Sequence, residues 1–512
     1  MAMTTIKNVL NREIEIPANG HRNMRPFSDA HEITARMVDK TNRLDRKMHA
    51  SIESAIKNCG LKDGMTISFH HSFRGGDKII NKVMDVIAEM GFKDLTLASS
   101  SLSTIHVPIV EHIKNGVVGK IYTSGVRGQL AEEISRGLMK QPIQIHSHGG
   151  RVHLVETGEL KIDVAFIGVS SSDEFGNANA IVGRSRCGSL GYAKVDAQYA
   201  DKVIVLTEEL VAYPNSPASI SQDQVDAIVK VEEVGDASKI GGDATRMTKN
   251  PRELLIARKA ADVIEHSGYF YDGFTLQTGS GGASLAVTRF LEDKMTKHNV
   301  TASFGLGGIT STMVAMHEKG LISTLLDVQS FDSDAADSLA RNPKHIEISA
   351  NQYANPSSLG ATVERLDVVI LSALEIDVDF NVNVITGSDG VIRGASGGHS
   401  DTAASANLTI IVAPLVRGRI PTVVNSVLNV VTPGSQIDVL VTDHGVAVNP
   451  KREEVKRRLE EAGIETFDIN ALQQRAEKLT GKPKAIEYLD NVVGYVRYRD
   501  GSVIDVIKQV KD

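Results

Sequence analysis

Short apolar runs alternate with turn residues and amphipathic stretches along most of the chain. The run at 65–69 leads into Arg74 and two glycines, and then into apolar residues at helical spacing between positions 79 and 87. Two further runs, at 163–168 and 202–206, have the length and composition of buried strands. Strands that alternate with helices predict an α/β fold with a mostly parallel sheet.

This pattern occurs twice. Residues 66–76 align with 275–282, 163–169 with 367–373, 173–177 with 377–381, and 201–206 with 407–412. The offset is about 205 residues each time, far beyond the period of a solenoid repeat. The chain is therefore predicted to contain one domain type in two diverged copies. We expect the hinge within 235–265 and divide the chain into domains 1–250 and 251–512, the second ending in a charged helical region around 451–462.

Composition narrows the classes of function. A chain of 512 residues with a net charge of −7 and a pI near 6.2 has no global attraction for nucleic acid or anionic lipid. We therefore expect neither a nucleic-acid nor a membrane partner, and an anionic substrate must meet a local cluster of cations. The start of the chain, with Lys7, Arg12 and Glu13, has no apolar signal region.

Cysteine and histidine usage argues against disulfides and metal. Only Cys59 and Cys187 occur, which excludes a disulfide framework and makes a reducing cytoplasm the default location. Cys187 is expected to be a small buried residue and not a nucleophile. Five histidines fit no zinc-ligand spacing, so no metal site is expected: His70, His71, His146, His148 and His153.

Two glycine-rich loops are candidate sites for an anion or a carbonyl oxygen. Gly279, Gly281 and Gly282 follow a predicted strand and precede a helix, where backbone amides attract anions, although such loops also serve as plain turns. The stretch 393–398 has small residues that let backbone amides face a carbonyl, as an oxyanion hole for a thioester requires.

Arginines near predicted strand ends are the candidate cations. Arg74 adjoins Gly75 and Gly76, Arg127 lies between two glycines, and Arg184 and Arg186 follow the 173–177 turn. A planar guanidinium binds a carboxylate through two parallel hydrogen bonds, so a polycarboxylate substrate would use several arginines. Each single arginine is equally compatible with an ordinary surface position.

Taken together, these residues resemble the coenzyme A (CoA) transferase superfamily. The first half resembles its alpha-type domain at 72–76, 172–177 and 200–209, and the second half resembles its beta-type domain at 304–308, 394–398 and 438–443. The resemblance implies two tandem, diverged CoA-transferase-like domains, each a mostly parallel sheet flanked by helices.

Within that superfamily, the chain is similar nearly end to end to the citrate lyase alpha-subunit family, with the motifs at 147–151, 183–188 and 351–356. This resemblance implies that citrate displaces acetate from an acetyl-thioester carrier protein, giving citryl-carrier. It also implies a beta subunit that cleaves the citryl thioester, a gamma subunit that is the acyl carrier with a dephospho-CoA-type arm, and an oligomeric complex. No cofactor tightly bound by this chain is expected.

The resemblance and the loops together give a set of site residues. Citrate is expected at Arg74 and Arg186, with Arg393 and His399 in support. The thioester carbonyl is expected at Gly397 and Gly398. The carrier arm is expected at six glycines: Gly75, Gly76, Gly279, Gly281, Gly282 and Gly394.

One position departs from the superfamily pattern. Many CoA transferases have a Ser-Glu-Asn-Gly motif whose glutamate attacks the thioester, but here the corresponding stretch 328–333 has Phe331 at the glutamate position. Asp332 is the neighbouring candidate catalytic residue, although it could replace the glutamate only if the backbone shifted. We therefore expect direct transfer through a ternary complex.

Three alternatives remain open from the sequence. The first is a carboxylate CoA-transferase or acyl-CoA hydrolase that uses free CoA, against which Phe331 counts. The second is a sugar-phosphate isomerase, which the duplication opposes. The third is a catalytically inactive scaffold of a carrier-protein complex, which the intact glycine loops oppose weakly.

Overall fold

A computed structural model describes residues 3–17, 47–241 and 248–511, so part of the predicted hinge, 242–247, lies outside the described residues. In the first half, the strands are β1 Met3–Lys7, β2 Glu13–Pro17, β3 Met48–His49, β4 Thr66–Phe69, β5 Leu95–Ser99, β6 Val118–Thr123, β7 Ile143–Ile145, β8 Val164–Ser172, β9 Ala178–Asn179, β10 Lys202–Leu210 and β11 Ala227–Lys230. The helices are α1 Ile52–Cys59, α2 Ile79–Glu89, α3 Ile109–Lys114, α4 Gln129–Ser135, α5 His148–Glu156 and α6 Gly191–Tyr199.

The second half is built in the same way. Its strands are β12 Thr275–Thr278, β13 Phe304–Ile309, β14 Leu325–Ser330, β15 His345–Glu347, β16 Val368–Ser372, β17 Glu375–Asp377, β18 Val382–Asn383, β19 Leu408–Val412, β20 Val416–Arg417, β21 Ile420–Pro421, β22 Val423–Val424, β23 Val439–Thr442, β24 Gly445–Val448, β25 Thr466–Phe467, β26 Tyr488–Arg497 and β27 Val503–Val510. Its helices are α7 Pro251–His266, α8 Gly282–His298, α9 Ser311–Glu318, α10 Ser333–Arg341, α11 Ala350–Ala354, α12 His399–Ala403, α13 Glu453–Glu461 and α14 Ile469–Thr480.

The two main sheets have equivalent strand orders. The first contains the order β7-β6-β5-β4-β8-β10-β11, and the second contains β15-β14-β13-β12-β16-β19-β23, with parallel pairing throughout both series. The central strands β4 and β12 begin with the same hydrogen bond, in which an aspartate carboxylate accepts from the backbone amide of the first residue of the strand. The Asp163 carboxylate accepts from the Thr66 amide at 2.8 Å, and the Asp367 carboxylate accepts from the Thr275 amide at 3.0 Å. The predicted α/β class and duplication are confirmed.

The apolar residues that indicated helices are buried against the sheets. In α2 the buried positions are Ile79, Ile80, Val83, Met84 and Ile87, which lie on one face of the helix. These side chains join the core of the first half, while a separate apolar cluster fills the second half between its sheet and helices α7 and α8. None of the helices in the described part of the chain has the length and apolar composition that crossing a bilayer requires.

The end of the chain returns to the first half. After α14, the hairpin of β26 and β27 pairs antiparallel, and β26 adds in parallel to β7, so this hairpin extends the first sheet. The charged helical region of the predicted second domain is present as α13. A domain boundary at residue 250 separates all other strands of the two main sheets. The hairpin is the exception, because it belongs to the second half of the chain but pairs with the sheet of the first half.

Candidate functional site

The site lies where the carboxyl ends of strands from the two sheets meet. Residues that follow β4, β6 and β7 in the first half contact residues at the end of β14 and in the 394–398 loop of the second half. In open parallel sheets, ligands bind at this edge, because the loops there are free to carry chemistry. The cleft is therefore built from both copies of the duplicated domain.

Arg74 is a cation of the first half that contacts the second half directly. It opens the short 3-10 turn Arg74–Gly76 after β4 and has a φ of 48°, a left-handed conformation that is strained for a residue with a side chain. Its guanidinium lies 3.9 Å from the centre of the Phe331 ring, and its Nη2 donates to Gln329 Oε1 over a long 3.5 Å. The Gln329 amide nitrogen in turn donates to the His71 carbonyl at 2.9 Å.

A second arginine, Arg127, lies close enough for the two positive charges to interact. Burial, and then the charge of Arg127, lower the pKa of Arg74 to about 10, and burial also lowers the pKa of Arg127. Both groups remain cationic at neutral pH. Neither has a carboxylate within ion-pair distance among the described residues, and the Arg74 Nε has no hydrogen-bond partner there. Two partly buried cations without counter-ions have the charge and the free donors to bind an anion.

Three rings line the cleft beside these arginines. His148 begins α5 and lies 5.5 Å from His71 and 4.6 Å from Tyr192 between ring centres. Burial, followed by the neighbouring positive charges, lowers the pKa of His148 to about 3, and burial holds the pKa of His71 well below its usual range. The histidines are therefore neutral at physiological pH and leave the positive charge of the site to the arginines.

The 394–398 loop closes the other side of the cleft. Ala395 bridges Gly125, the Ser396 amide donates to the Ser124 carbonyl at 2.7 Å, and the Gly397 carbonyl accepts from the His148 amide at 2.8 Å. The amides of Gly397 and Gly398 donate to no acceptor in the described part of the chain. Two free amides next to unpaired cations fit the sequence-based expectation of a carbonyl or oxyanion site.

Space around these glycines explains why side chains are absent. Gly397 has a φ of 55°, and a β-carbon there would point toward the His148 ring at 3.8 Å from Nε2. A β-carbon on Gly398 would lie 2.5 Å from the hydroxyl of Tyr353, and one on Gly394 would lie 2.0 Å from the Val384 carbonyl. Gly394 therefore packs against the backbone of its own half, whereas Gly397 borders the cleft.

Asp332 occupies a helix cap and not an open position. Its carboxylate accepts from the Ala335 amide at 2.9 Å as the N-cap of α10, and from the Ser311 amide, the first residue of α9, at 2.8 Å. Both oxygens therefore have backbone donors. Its proposed catalytic role stays a prediction, but the hydrogen bonds describe a residue that orders two helix starts.

The other predicted citrate ligands lie apart from the arginine pair. Arg186 is exposed and bonds the Asp337 carboxylate at 3.0 Å, and Arg393 is exposed beside Asp389 and Glu132. Buried His399 is engaged by the Thr432 hydroxyl at 2.7 Å and the Ser372 carbonyl at 3.0 Å. None of the three side chains shares a hydrogen bond with Arg74 or Arg127 among the described residues. Their assignment to citrate stays a prediction.

The glycines predicted to bind the carrier arm fall into two groups. Gly75 and Gly76 belong to the turn that carries Arg74, and a β-carbon on Gly76 would meet the Asp236 backbone at 2.2 Å. Gly279 and Gly281 precede α8 and Gly282 is its first residue, and Gly281 lies against Ser372, whose carbonyl is the one bonded by His399. The structure thus brings His399 and the 279–282 loop together on the second half, while Gly75 and Gly76 lie on the first.

Sequence reasoning missed several residues of the cleft. Arg127 is among the candidate cations of the sequence but not among the expected citrate ligands, and His71 and His148 are interpreted there only as possible metal ligands. The sequence gives no signal for Tyr192 or Gln329. His71, Arg127 and His148 lie in the loops that follow β4, β6 and β7, so position after a strand is the signal that could have found them. Within the described ranges, no group of three or more His, Cys, Asp or Glu side chains is arranged to hold a metal ion.

Two related α/β halves that share a cationic cleft lined by free amides define an enzyme of the CoA-transferase class. Comparisons with known proteins identify the family within this class. The family model described as citrate lyase, alpha subunit (CitF), matches residues 45–510. The citrate lyase alpha chain of Haemophilus influenzae is 71% identical over 468 residues, which cover 91% of this chain and 94% of the relative. The chain belongs to the citrate lyase alpha-subunit family.

Solved structures agree with this assignment. A structure from Streptococcus mutans, described as the alpha subunit of citrate lyase in complex with citrate, has a TM-score of 0.91 at 51% identity and covers 94% of this chain and 95% of its own. The malonate decarboxylase alpha subunit of Acinetobacter baumannii has a TM-score of 0.62 at 15% identity, covering 86% of this chain and 94% of its own, and so shares the fold. The sequence-based identification of the family, and with it the transferase class, is confirmed.

Proposed function

We propose that this chain transfers the thiol of an acyl carrier from an acetyl group to a citryl group, so that acetyl-carrier and citrate give citryl-carrier and acetate. The observation that carries the proposal is the pair Arg74 and Arg127, two partly buried cations without carboxylate partners among the described residues, together with the free amides of Gly397 and Gly398 in the loop that bonds the first half. The cations match the carboxylates of a polycarboxylic acid, and the amides match a carbonyl oxygen on which negative charge develops.

The chemistry then proceeds without an acyl group on the protein. A citrate carboxylate attacks the acetyl thioester, the C–S bond breaks, and a mixed acetic–citric anhydride and the carrier thiolate form. The thiolate attacks the citryl carbonyl, a new C–S bond forms, and acetate leaves with one oxygen of the citrate carboxylate. Holding both partners in one cleft supplies the proximity that a covalent enzyme intermediate would otherwise provide.

The same proposal assigns the partners. The thioester is carried by a dephospho-CoA-type arm on the gamma subunit, and the citryl-carrier passes to the beta subunit for cleavage, within an oligomeric complex. We place this complex in the cytoplasm, because Cys59 and Cys187 are free and buried as expected in a reducing compartment. No cofactor bound by this chain itself enters the scheme.

Mass spectrometry of the carrier tests the proposal. The purified chain is incubated with acetylated carrier protein and citrate labelled with oxygen-18 in its carboxylates. We expect citryl-carrier, acetate that contains one labelled oxygen, and no label in the protein. A parallel reaction with free acetyl-CoA distinguishes a transferase or hydrolase that uses free CoA. Formation of no citryl-carrier, with turnover of acetyl-CoA alone, would contradict the proposal.

A further inference from the structure

The ring of Phe331 lies between the two halves of the site. One face is 3.9 Å from the Arg74 guanidinium, measured to the ring centre. Its far edge packs on the backbone of Gly308 in β13, where an added β-carbon would lie 2.0 Å from the ring. Phe331 follows β14 directly, so the second sheet fixes this ring and the ring in turn limits where the first half's arginine can lie.

The chemistry of an aromatic face differs from that of a carboxylate at the same place. A ring attracts a cation through its π electrons and leaves the N–H groups at the guanidinium edge free. A glutamate at position 331 would instead accept from those N–H groups and cancel the charge of Arg74. The observed arginine matches the first case, since its Nε has no partner among the described residues and its Nη2 makes only a long hydrogen bond of 3.5 Å to Gln329 there.

We propose that Phe331 is a positioning residue that holds Arg74 by its ring face so that the guanidinium edge is available to a substrate carboxylate. The proposal rests on the proposed transfer to citrate and adds a reason for a neutral residue at this position. It assigns to Phe331 an effect on polycarboxylate binding that acts through Arg74 and not through contact with the acyl group.

A double-mutant cycle in citrate binding tests this dependence. Phe331→Leu keeps an apolar side chain but removes the π face, and we expect the Kd for citrate, measured by titration calorimetry, to rise about threefold to tenfold. In an Arg74→Gln background, which already lacks the cation, the same replacement should change Kd by less than about twofold. Phe270→Leu is the matched control, because Phe270 is a partly buried ring that lies tilted against Phe274 at 5.4 Å between ring centres.

A carboxylate at position 331 gives a stronger test of the same inference. Phe331→Glu should pair with Arg74 and raise the citrate Kd by more than about tenfold, while folding is checked by circular dichroism. Citrate binding unchanged in Phe331→Leu, or weakened equally with and without Arg74, would overturn the inference. If the citrate Kd values show that the effect of Phe331→Leu depends on Arg74, but the wild-type protein forms no citryl-carrier, the proposed transfer fails and the positioning role stands. If citryl-carrier forms normally but the effect of Phe331→Leu does not depend on Arg74, the positioning role fails and the proposed transfer stands.

Discussion

In the first half, the loops after β4 and β6 carry Arg74 and Arg127, whereas β14, the counterpart of β6 in the second half, ends in Gln329 and Ser330 and is followed by Phe331. The sheets have the same strand order, so this difference arose at the strand ends and not in the scaffold. One copy supplies positive charge and the other supplies neutral groups and free amides. A carboxylate from the second half would neutralise the cations before substrate arrived.

The largest effect is expected from blocking the neutral side of the cleft. Gly397→Val would place a branched side chain next to His148 and displace or cover the free amides. Loss of one oxyanion donor typically lowers kcat by about 10²–10³-fold, and we expect a decrease of that size in citryl-carrier formation. Gly418→Val is the matched control, because Gly418 has a similar φ of 61° with no atom near its missing β-carbon. Equal losses in both variants would place the carbonyl site elsewhere.

The charged side is tested by removing its arginines one at a time. A hydrogen bond to a charged group contributes about 1.5–3 kcal/mol, so Arg74→Ala and Arg127→Ala should each lower kcat/KM for citrate by about 10–150-fold. Arg74→Lys should also lose activity, since a lysine lacks the planar fork. The control is Arg341→Ala, an exposed arginine paired with Glu318 at 3.1 Å. Unchanged kcat/KM in both alanine variants would remove the arginine pair from citrate binding.

The sequence predicted local structure better than it predicted the site. Strand β4 and helix α2 follow from an apolar run and from helical spacing, and the duplication follows from the nearly constant offset between the repeats. The pairing of Arg74 with Phe331 could not be predicted, because the two residues come from different halves and their contact depends on how those halves pack. The sequence does not single out Arg127 among the candidate cations for a related reason, since the absence of a counter-ion is a property of the fold.

Asp401 is an exception in this comparison, because it is a carboxylate of the second half that accepts hydrogen bonds from the first half. It accepts from the Ser147 hydroxyl at 2.7 Å and the Gly149 amide at 2.9 Å at the start of α5, and its Oδ1 lies 4.0 Å from Arg499 Nε. Burial raises the pKa of Asp401 to about 6 from an ordinary value of 3.8. A raised pKa in the folded state stabilises the fold below about pH 4, and this contribution is lost as the pH rises through about 6.

Asp401→Asn should therefore change the pH dependence of stability. Between pH 4.5 and 7.5, the stability of wild type relative to Asp401→Asn should fall, by on the order of 2 kcal/mol, when measured by denaturant unfolding at each pH. The exposed carboxyl of Asp490 provides a control, and Asp490→Asn should run parallel to wild type. A stability difference that stays constant or rises with pH would show that the buried carboxyl does not titrate in this range.

The smallest effect is expected at Asp332, and it decides between a catalytic and a structural carboxylate next to Phe331. Since both oxygens accept backbone amides at the starts of α9 and α10, Asp332→Ala should lower the free energy of unfolding by about 1 kcal/mol, the usual contribution of an N-cap. Asp332→Ser removes the carboxylate but keeps a capping oxygen, so its stability should lie close to wild type. Both variants should still form citryl-carrier within a few-fold of the normal kcat, because citrate itself accepts the acetyl group. If the stable serine variant loses transfer, or if a carrier thioester is found on Asp332 in wild type, the second half does supply a reacting carboxylate, and the division between a charged first half and a neutral second half no longer holds.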